Sequence, residues 1–514
     1  MSADFKAQRI AVIGLCPTGQ AAARLLRQRG ADVRVIEAGD TPPLRDRARE
    51  LRSLGIEVRL GAAKPSPGRW DLVVTSPATG ANADLARAFA QRGTPVVSEL
   101  EVASTLARCL CVAITGTNGR STTAALVNEM LRADQRRSAV CGGEFQPLSE
   151  IIEQTRELDF ATVAAEPQQL EFTRDFRPTV AVLLNASPSW RGTYPRHDDY
   201  LRVLGRAFAR QQPFDWAIVQ SEALAQLRSV GIPVPGKTVT FSSATRRADL
   251  FLDRTLLVSQ LPEWSGPLLD LGATRLAAPH FAEDLLAALM VGHVLKVPLE
   301  TMVEVAKRFE PLPGRCRWVA ERHGLRFYDD HRAETPDATR QAILAMPAGR
   351  PGEPNVILIA GGRDDGADYY ELGPLLARRV KRVVLLGDSR ERLRAAWSLF
   401  VPCGDAGSLL EAVVLAVQGA VAGDVVLWSP ACFSRDHFPD HQRAGEVYRN
   451  AILALPEPTN GGPLETDPTG GAGGGAGASL SSNPNAPAED LPGESARENP
   501  GAKTQNAAVG NFNV

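Results

Sequence analysis

The chain has 514 residues, too many for one hydrophobic core, so about three domains are expected. Hydrophobic residues at 44% and charged residues at 23% fit a soluble globular protein. Lys+Arg at 57 against Asp+Glu at 59 excludes the broad basic footprint of a nucleic-acid binder, and no apolar run approaches the length of a membrane span.

The first segment, residues 1–107, starts polar and shows no signal-peptide core. A strand signal over 9–13 leads into Gly14-Leu15-Cys16-Pro17-Thr18-Gly19, then a helical stretch to residue 29 and a second strand over 33–36 that ends at Glu37. This is a βαβ unit with a glycine-rich first turn and an acid closing the second strand. Cys16 stands where a dinucleotide fingerprint needs its middle glycine, so a backbone approach to pyrophosphate is blocked. A single-nucleotide site and a purely structural turn both stay open. An NAD-dependent oxidoreductase is disfavoured, because no hydride-transfer constellation accompanies the turn. Further strand signals fall at 72–75, followed by Ser76-Pro77, and at 95–97.

The second segment, residues 108–311, carries the most informative motif. An apolar strand signal over 109–114 is followed by Gly116-Thr117-Asn118-Gly119-Arg120-Ser121-Thr122 and a helical run over 124–131. Strand, glycine turn and helix form a phosphate-binding loop: glycines let the backbone wrap oxygens, and the helix N-terminus offers free N–H groups and a positive dipole end. Ser121 or Thr122 would give a hydroxyl to a phosphate-bound magnesium. Arg120 takes the position of the usual lysine; it keeps the charge but on a larger planar fork. Cys109 and Cys111 are not at a zinc-ligand spacing and are expected to face opposite ways. All seven cysteines are scattered, which implies reduced thiols and a cytoplasmic location. Strands follow at 161–166, at 179–185 (apolar, ending at Asn185) and at 215–219, with helices at 199–211 and 279–295.

The third segment, residues 312–456, repeats strand-to-loop units at 356–360, 382–386 and 424–428, each leading into Gly or Ser-Pro. Residues 457–514, rich in Gly, Ala, Pro, Ser and Asn, are expected to be a disordered, passive tail.

Taken together, these motifs resemble the Mur ligases of peptidoglycan synthesis. The resemblance spans about residues 9–455 and rests on residues 12–19, Ser76-Pro77, Gly116 to Thr122, Gln169-Leu170-Glu171, Asn185-Ala186-Ser187-Pro188, Leu312-Pro313-Gly314-Arg315-Cys316, Asp329-Asp330, Gly361-Gly362 with Gly366-Ala367-Asp368, and Ser429 to Ser434. It implies an α/β protein of three domains: a Rossmann-like N-terminal domain of the UDP-sugar-binding type, a central P-loop ATP-binding domain and a Rossmann-like C-terminal ligase domain. It further implies an ADP-forming reaction that joins an amino acid to the carboxylate of a UDP-linked muramoyl substrate, with ATP and Mg2+ as cofactors. Carried over by position, Gly116, Thr117, Asn118, Gly119, Arg120, Ser121, Thr122, Arg315 and Asp330 would bind nucleotide. Ser76, Gln169 and Ser434 would bind substrate, Arg120 and Arg332 would act in catalysis, and Ser121 and Glu166 would hold metal.

Several family positions carry other residues. Ala164 stands for a metal-binding glutamate, with Glu166 two residues on and expected on the same strand face. Ser189-Trp190 replace Asp-His, and Leu204 replaces the lysine that becomes a carbamylated metal ligand. His197, Asp198 and Asp199 lie nearby, as alternative ligands or a solvated helix start. Glu144 replaces an asparagine, Arg332 a lysine, and Asp365 a lysine near the amino-acid site. Three readings follow: the family ligase; an active amide ligase with a different, less anionic amino acid, favoured by Glu144 and Asp365; or a catalytically silent scaffold that binds nucleotide and acts through partners in envelope synthesis.

Overall fold

Strands buried on both faces need apolar side chains at every position, and this chain supplies them three times. The computed structural model describes residues 4–456 except 63, 66–67, 78–79, 188–192, 351, 364–365 and 433–440, with no side-chain description at 441–442. Pro188, Ser189-Trp190, Asp365, Ser434 and the 457–514 tail thus lie outside the described residues.

The first sheet has five parallel strands: β1 (Arg9–Ile13), β2 (Asp32–Ile36), β3 (Glu57–Arg59), β4 (Leu72–Thr75) and β5 (Val96–Ser98), in the order β3-β2-β1-β4-β5. Alternation on β1 feeds two cores: Ile10 and Val12 enter one, Ala11 and Ile13 the other.

The second sheet has nine strands. They are β6 (Leu110–Thr115), β7 (Ser138–Gly142), β8 (Phe160–Ala164), β9 (Val180–Leu183), β10 (Trp216–Gln220), β11 (Lys237–Ser242), β12 (Leu250–Asp253), β13 (Leu256–Ser259) and β14 (Gly266–Asp270). Their order is β14-β13-β12-β11-β10-β9-β6-β8-β7. Strands β6 to β12 pair in parallel, and β12-β13-β14 close the edge as an antiparallel ribbon. That ribbon has no sequence signature because its turn places Arg254, not glycine, in the left-handed region at φ 58°. On β6, Val112 and Ile114 enter one core while Ala113 enters the other. Cys109 and Cys111 both pack on the latter core, so the expectation of opposite faces fails: residues two apart on a strand share a face.

The third sheet comprises β15 (Arg317–Arg322), β16 (Leu325–Asp329), β17 (Val356–Gly361), β18 (Val380–Leu386), β19 (Cys403–Asp405) and β20 (Val425–Trp428), ordered β15-β16-β20-β17-β18-β19. Only β15 runs antiparallel to its neighbour.

Helix bounds follow local packing. The helix expected at 199–211 is His197–Gly205. A Cβ on Gly205 would lie 2.5 Å from Ile232, so glycine permits a close approach there, and the chain beyond continues in turns. The apolar helix Phe281–Val294 packs along Arg120–Ala133, which carries the phosphate-loop motif at its N-terminus. Among the described residues no helix is long and apolar enough to cross a membrane.

Candidate functional site

Strand β6 lies between β9 and β8, so the chain leaves it at a point where the sheet order reverses. Such switch points open a crevice at the carboxyl ends of parallel strands. Residues 116–119 turn there into the helix Arg120–Ala133, with Gly119 as its N-cap in the left-handed region at φ 87°. Both loop glycines are required by contact as well as conformation. A Cβ on Gly116 (φ 140°) would press the Asn185 backbone at 3.0 Å, and one on Gly119 would meet Asp284 Oδ1 at 2.2 Å.

Asn185, just past β9, fixes the loop. Its Oδ1 accepts from the N–H of Thr117 (3.1 Å) and of Asn118 (2.9 Å). Thr117 Oγ1 lies 3.0 Å from the buried Tyr200 hydroxyl and accepts from the Ser187 N–H at 2.9 Å. The loop's first N–H groups are therefore engaged within the protein, and the helix's first turn, at Arg120, Ser121 and Thr122, is the part free of intrahelical acceptors. Arg120 folds its guanidinium back onto the carbonyls of Gly116 and Thr117. Ser121 is buried against the turn after β7, where a Cβ on Gly143 would stand 3.3 Å from its hydroxyl.

Sequence reading missed Asp284. It accepts from Thr123 Oγ1 at 2.8 Å, and burial pushes its carboxyl up to about 8, with Thr123 pulling the other way. The available signal was the Glu283-Asp284 pair at the start of a largely apolar helix. Its neighbour Glu283 is also raised, by burial, and accepts from Gln220 (2.6 Å) and Ser243 (2.9 Å).

Segments flanking the first strands of the third sheet bring arginines to Glu144, in the turn that lies against Ser121. The turn at Gly314 (φ 72°) packs on His331, leaving no room for a Cβ: one would lie 2.5 Å from the ring. Arg315 then donates to the Arg332 carbonyl at 3.3 Å, and its guanidinium approaches Glu144 at 3.8 Å. Arg332 pairs with the other Glu144 oxygen at 2.9 Å. A second bridge reaches the loop itself: Asn118 donates to Asp337, at the start of the helix Pro336–Ala345, at 3.0 Å. Arg315 and Arg332 thus meet the turn that lies against Ser121, and Asp337 meets the loop itself. The structure also alters the reading of Glu144, whose charge is paired with arginines and so gives no reason to favour a less anionic amino acid.

Other expected site residues have structural partners. Asp330 is buried; Oδ1 accepts from the Cys316 N–H (3.0 Å) and Oδ2 from Ser429 (2.8 Å), and burial raises it to about 7. Ser76 is buried and donates to the Ile13 carbonyl at 3.0 Å. Gln169 is buried, accepts from the Glu166 N–H at 3.2 Å and donates to the buried Glu99 at 3.0 Å. Glu166 does not extend the face of β8: the strand stops at Ala164, and Glu166 caps the short helix Pro167–Leu170. Leu204 is fully buried in an apolar core. Asp199 pairs with Arg196 (2.8 Å) and Arg202 (2.9 Å), which makes this stretch a charged helix start. Among the described residues no group of three or more His, Cys, Asp or Glu is arranged to hold a metal ion.

These observations describe an α/β protein with a strand–glycine turn–helix of the phosphate-loop type, adjoined through Asn118 and Glu144 by elements of a separate sheet. Residues 314–432 match the Mur ligase, glutamate ligase domain. The chain is 31% identical over 455 residues to the UDP-N-acetylmuramoylalanine--D-glutamate ligase of Acidobacterium capsulatum, covering 88% of this chain and 97% of that one. It is 31% identical over 453 residues to the like-named protein of Desulfosudis oleivorans, again with 88% and 97% covered. In fold it is similar to the UDP-N-acetylmuramate-alanine ligase MurC of Thermotoga maritima (TM-score 0.54, 18% identity, 87% of this chain and 99% of that one). It is likewise similar to the MurF ligase of the same organism, solved in complex with ADP (TM-score 0.54, 14% identity, 88% and 97%). The chain belongs to the Mur ligase family.

Proposed function

We propose that the chain joins D-glutamate to the carboxylate of UDP-N-acetylmuramoyl-L-alanine at the expense of ATP. The observation that carries this reading is that the third sheet's elements reach the Gly116–Thr122 loop at two points: Asp337 accepts from Asn118, and Arg315 and Arg332 pair with Glu144, whose turn lies against Ser121. Residues 108–311 would hold ATP, residues 1–107 the sugar nucleotide and residues 312–456 the amino acid. ATP phosphorylates the substrate carboxylate, the amine attacks the acyl phosphate, and phosphate leaves from the tetrahedral intermediate. The chain's own tasks are to orient and to neutralise. The first helical turn binds phosphate oxygens through its N–H groups, and the two arginines offset charge as it moves from ATP to the acyl phosphate.

The donor set fits one magnesium ion carried on the nucleotide. Mg2+ is commonly held by one or two protein ligands plus phosphate and water, and Ser121 offers a hydroxyl at the head of the helix. When bound, the ion would supply further charge neutralisation. A second ion does not fit the described residues, since Ala164 and Leu204 are apolar and buried. That observation favours a second reading, a family member that binds nucleotide without turnover and acts through partners in envelope synthesis.

One assay separates the two. Purified protein with ATP, Mg2+, UDP-N-acetylmuramoyl-L-alanine and D-glutamate releases phosphate on the first reading. On the second it releases none, while nucleotide still raises the melting temperature. A panel of amino acids in the same assay identifies the acceptor amine.

A further inference from the structure

Glu144 follows two glycines in the left-handed region, Gly142 at φ 75° and Gly143 at φ 57°. That turn lies against Ser121 at the head of the phosphate-loop helix. From it, the carboxylate reaches the third sheet's cations: Arg332 at 2.9 Å and Arg315 at 3.8 Å. Two features separate this contact from a surface ion pair. The Glu144 side chain is only 12% exposed, so water screens the attraction weakly. Its Oε1 is buried and accepts no hydrogen bond, so the carboxylate is held mainly by the arginines' charge. A carboxylate and a phosphoryl oxygen present the same face to guanidinium: anionic, compact and able to accept paired N–H donors.

We propose that Glu144 is a positioning residue, holding Arg332 and Arg315 beside the phosphate loop in the place that an anionic group of the ligand takes during turnover, and yielding them when that group arrives. This rests on the ligase reading above. It explains how a charge added to the cleft is compatible with anionic substrates. The group that displaces Glu144 is a phosphoryl oxygen of ATP or the carboxylate of the sugar nucleotide, and separate titrations tell the two apart.

The test uses the full chain and Glu144→Gln, which keeps the shape and removes the charge. Small-angle X-ray scattering is recorded with and without ATP and Mg2+, and calorimetry titrates ATP and UDP-N-acetylmuramoyl-L-alanine separately. Without nucleotide, E144Q is expected to have a larger radius of gyration than the wild type and to contract when ATP is added. The ligand that uses the arginines is expected to bind about three- to tenfold more tightly to E144Q, because no internal anion competes. Tighter ATP names the phosphoryl group; tighter sugar nucleotide names the carboxylate. Unchanged scattering, or unchanged or weaker binding of both ligands, overturns the proposal. Arg332→Gln breaks the same pair from its other side, and its radius of gyration without nucleotide is read in the same way if E144Q does not fold. Neither readout needs turnover. Opening and tighter binding without phosphate release would sink the ligase reading alone, whereas phosphate release with none of these changes would sink this proposal alone.

Discussion

Two glycine turns in this molecule follow the same recipe and end differently. Gly14 and Gly119 both adopt left-handed backbone, at φ 93° and 87°, between a central parallel strand and a helix. In both, an added Cβ would collide at 2.2 Å with a polar oxygen: Ser76 Oγ in the first and Asp284 Oδ1 in the second. In the first sheet, however, the protein fills its own turn with an anion. Glu37 accepts from the Leu15 N–H at 2.8 Å, and also from Gly39 (2.8 Å) and Asn82 (2.8 Å). In the second sheet the carboxyl under the turn is raised toward neutrality by burial, Arg120 folds onto the loop's own carbonyls, and the internal anion, Glu144, stands in the next turn, paired with Arg315 and Arg332. The same strand-glycine-helix geometry is thus filled by a carboxylate of the protein in the first sheet and, among the described residues, leaves the first helical turn without an internal anion in the second.

The sharpest way to break this contrast is a matched pair of substitutions. Gly119→Val should abolish the nucleotide-induced rise in melting temperature and lower any phosphate release by about 100-fold or more, because the loop must move to admit the side chain. Gly14→Val should lower stability comparably yet leave the ATP-induced shift intact. Equal loss of that shift in both variants would erase the distinction.

Glu37→Gln comes next. It removes a charged acceptor from three donors and should cost about 1–3 kcal/mol in urea unfolding, with no change in ATP affinity.

Asp284→Asn tests the charge beneath the second turn. The folded carboxyl keeps its proton to about pH 8, while the unfolded chain releases it in the ordinary carboxylate range. Between those limits the folded state binds more protons, so stability falls as pH rises and levels off above about 8. The asparagine variant should lose part of that fall and melt higher than the wild type at pH 8. Glu99, Glu283 and Asp330, also raised by burial, keep the remainder. An unaltered pH profile in the variant would show that Asp284 is ionised in the fold. The smallest effect is expected for Asp337→Ala, which removes the hydrogen bond from Asn118 and a half-exposed pair with Arg340, and should cost about 1 kcal/mol, read as a modest fall in melting temperature.

Much of this was legible from local pattern. The apolar runs of β4, β6, β17 and β20 announced buried parallel strands, and the glycines after β6 announced the turn into its helix. Partners distant in the chain were not legible. Glu144 and Arg332 each read as a separate departure from the family pattern, yet they form one ion pair. Ser76, Gln169 and Asp330 occupy family positions, but burial decides what their polar atoms meet, and each atom described here meets protein. Glu166 misled for a local reason: a face argument holds only while the strand lasts, and β8 ends two residues earlier.

The most direct test is a crystal structure with a non-hydrolysable ATP analogue and Mg2+. The triphosphate should lie on the N–H groups at the head of Arg120–Ala133, with Arg315 or Arg332 turned from Glu144 onto its oxygens. A triphosphate bound on another surface, with the loop and both arginines still held by their internal partners, would contradict the account.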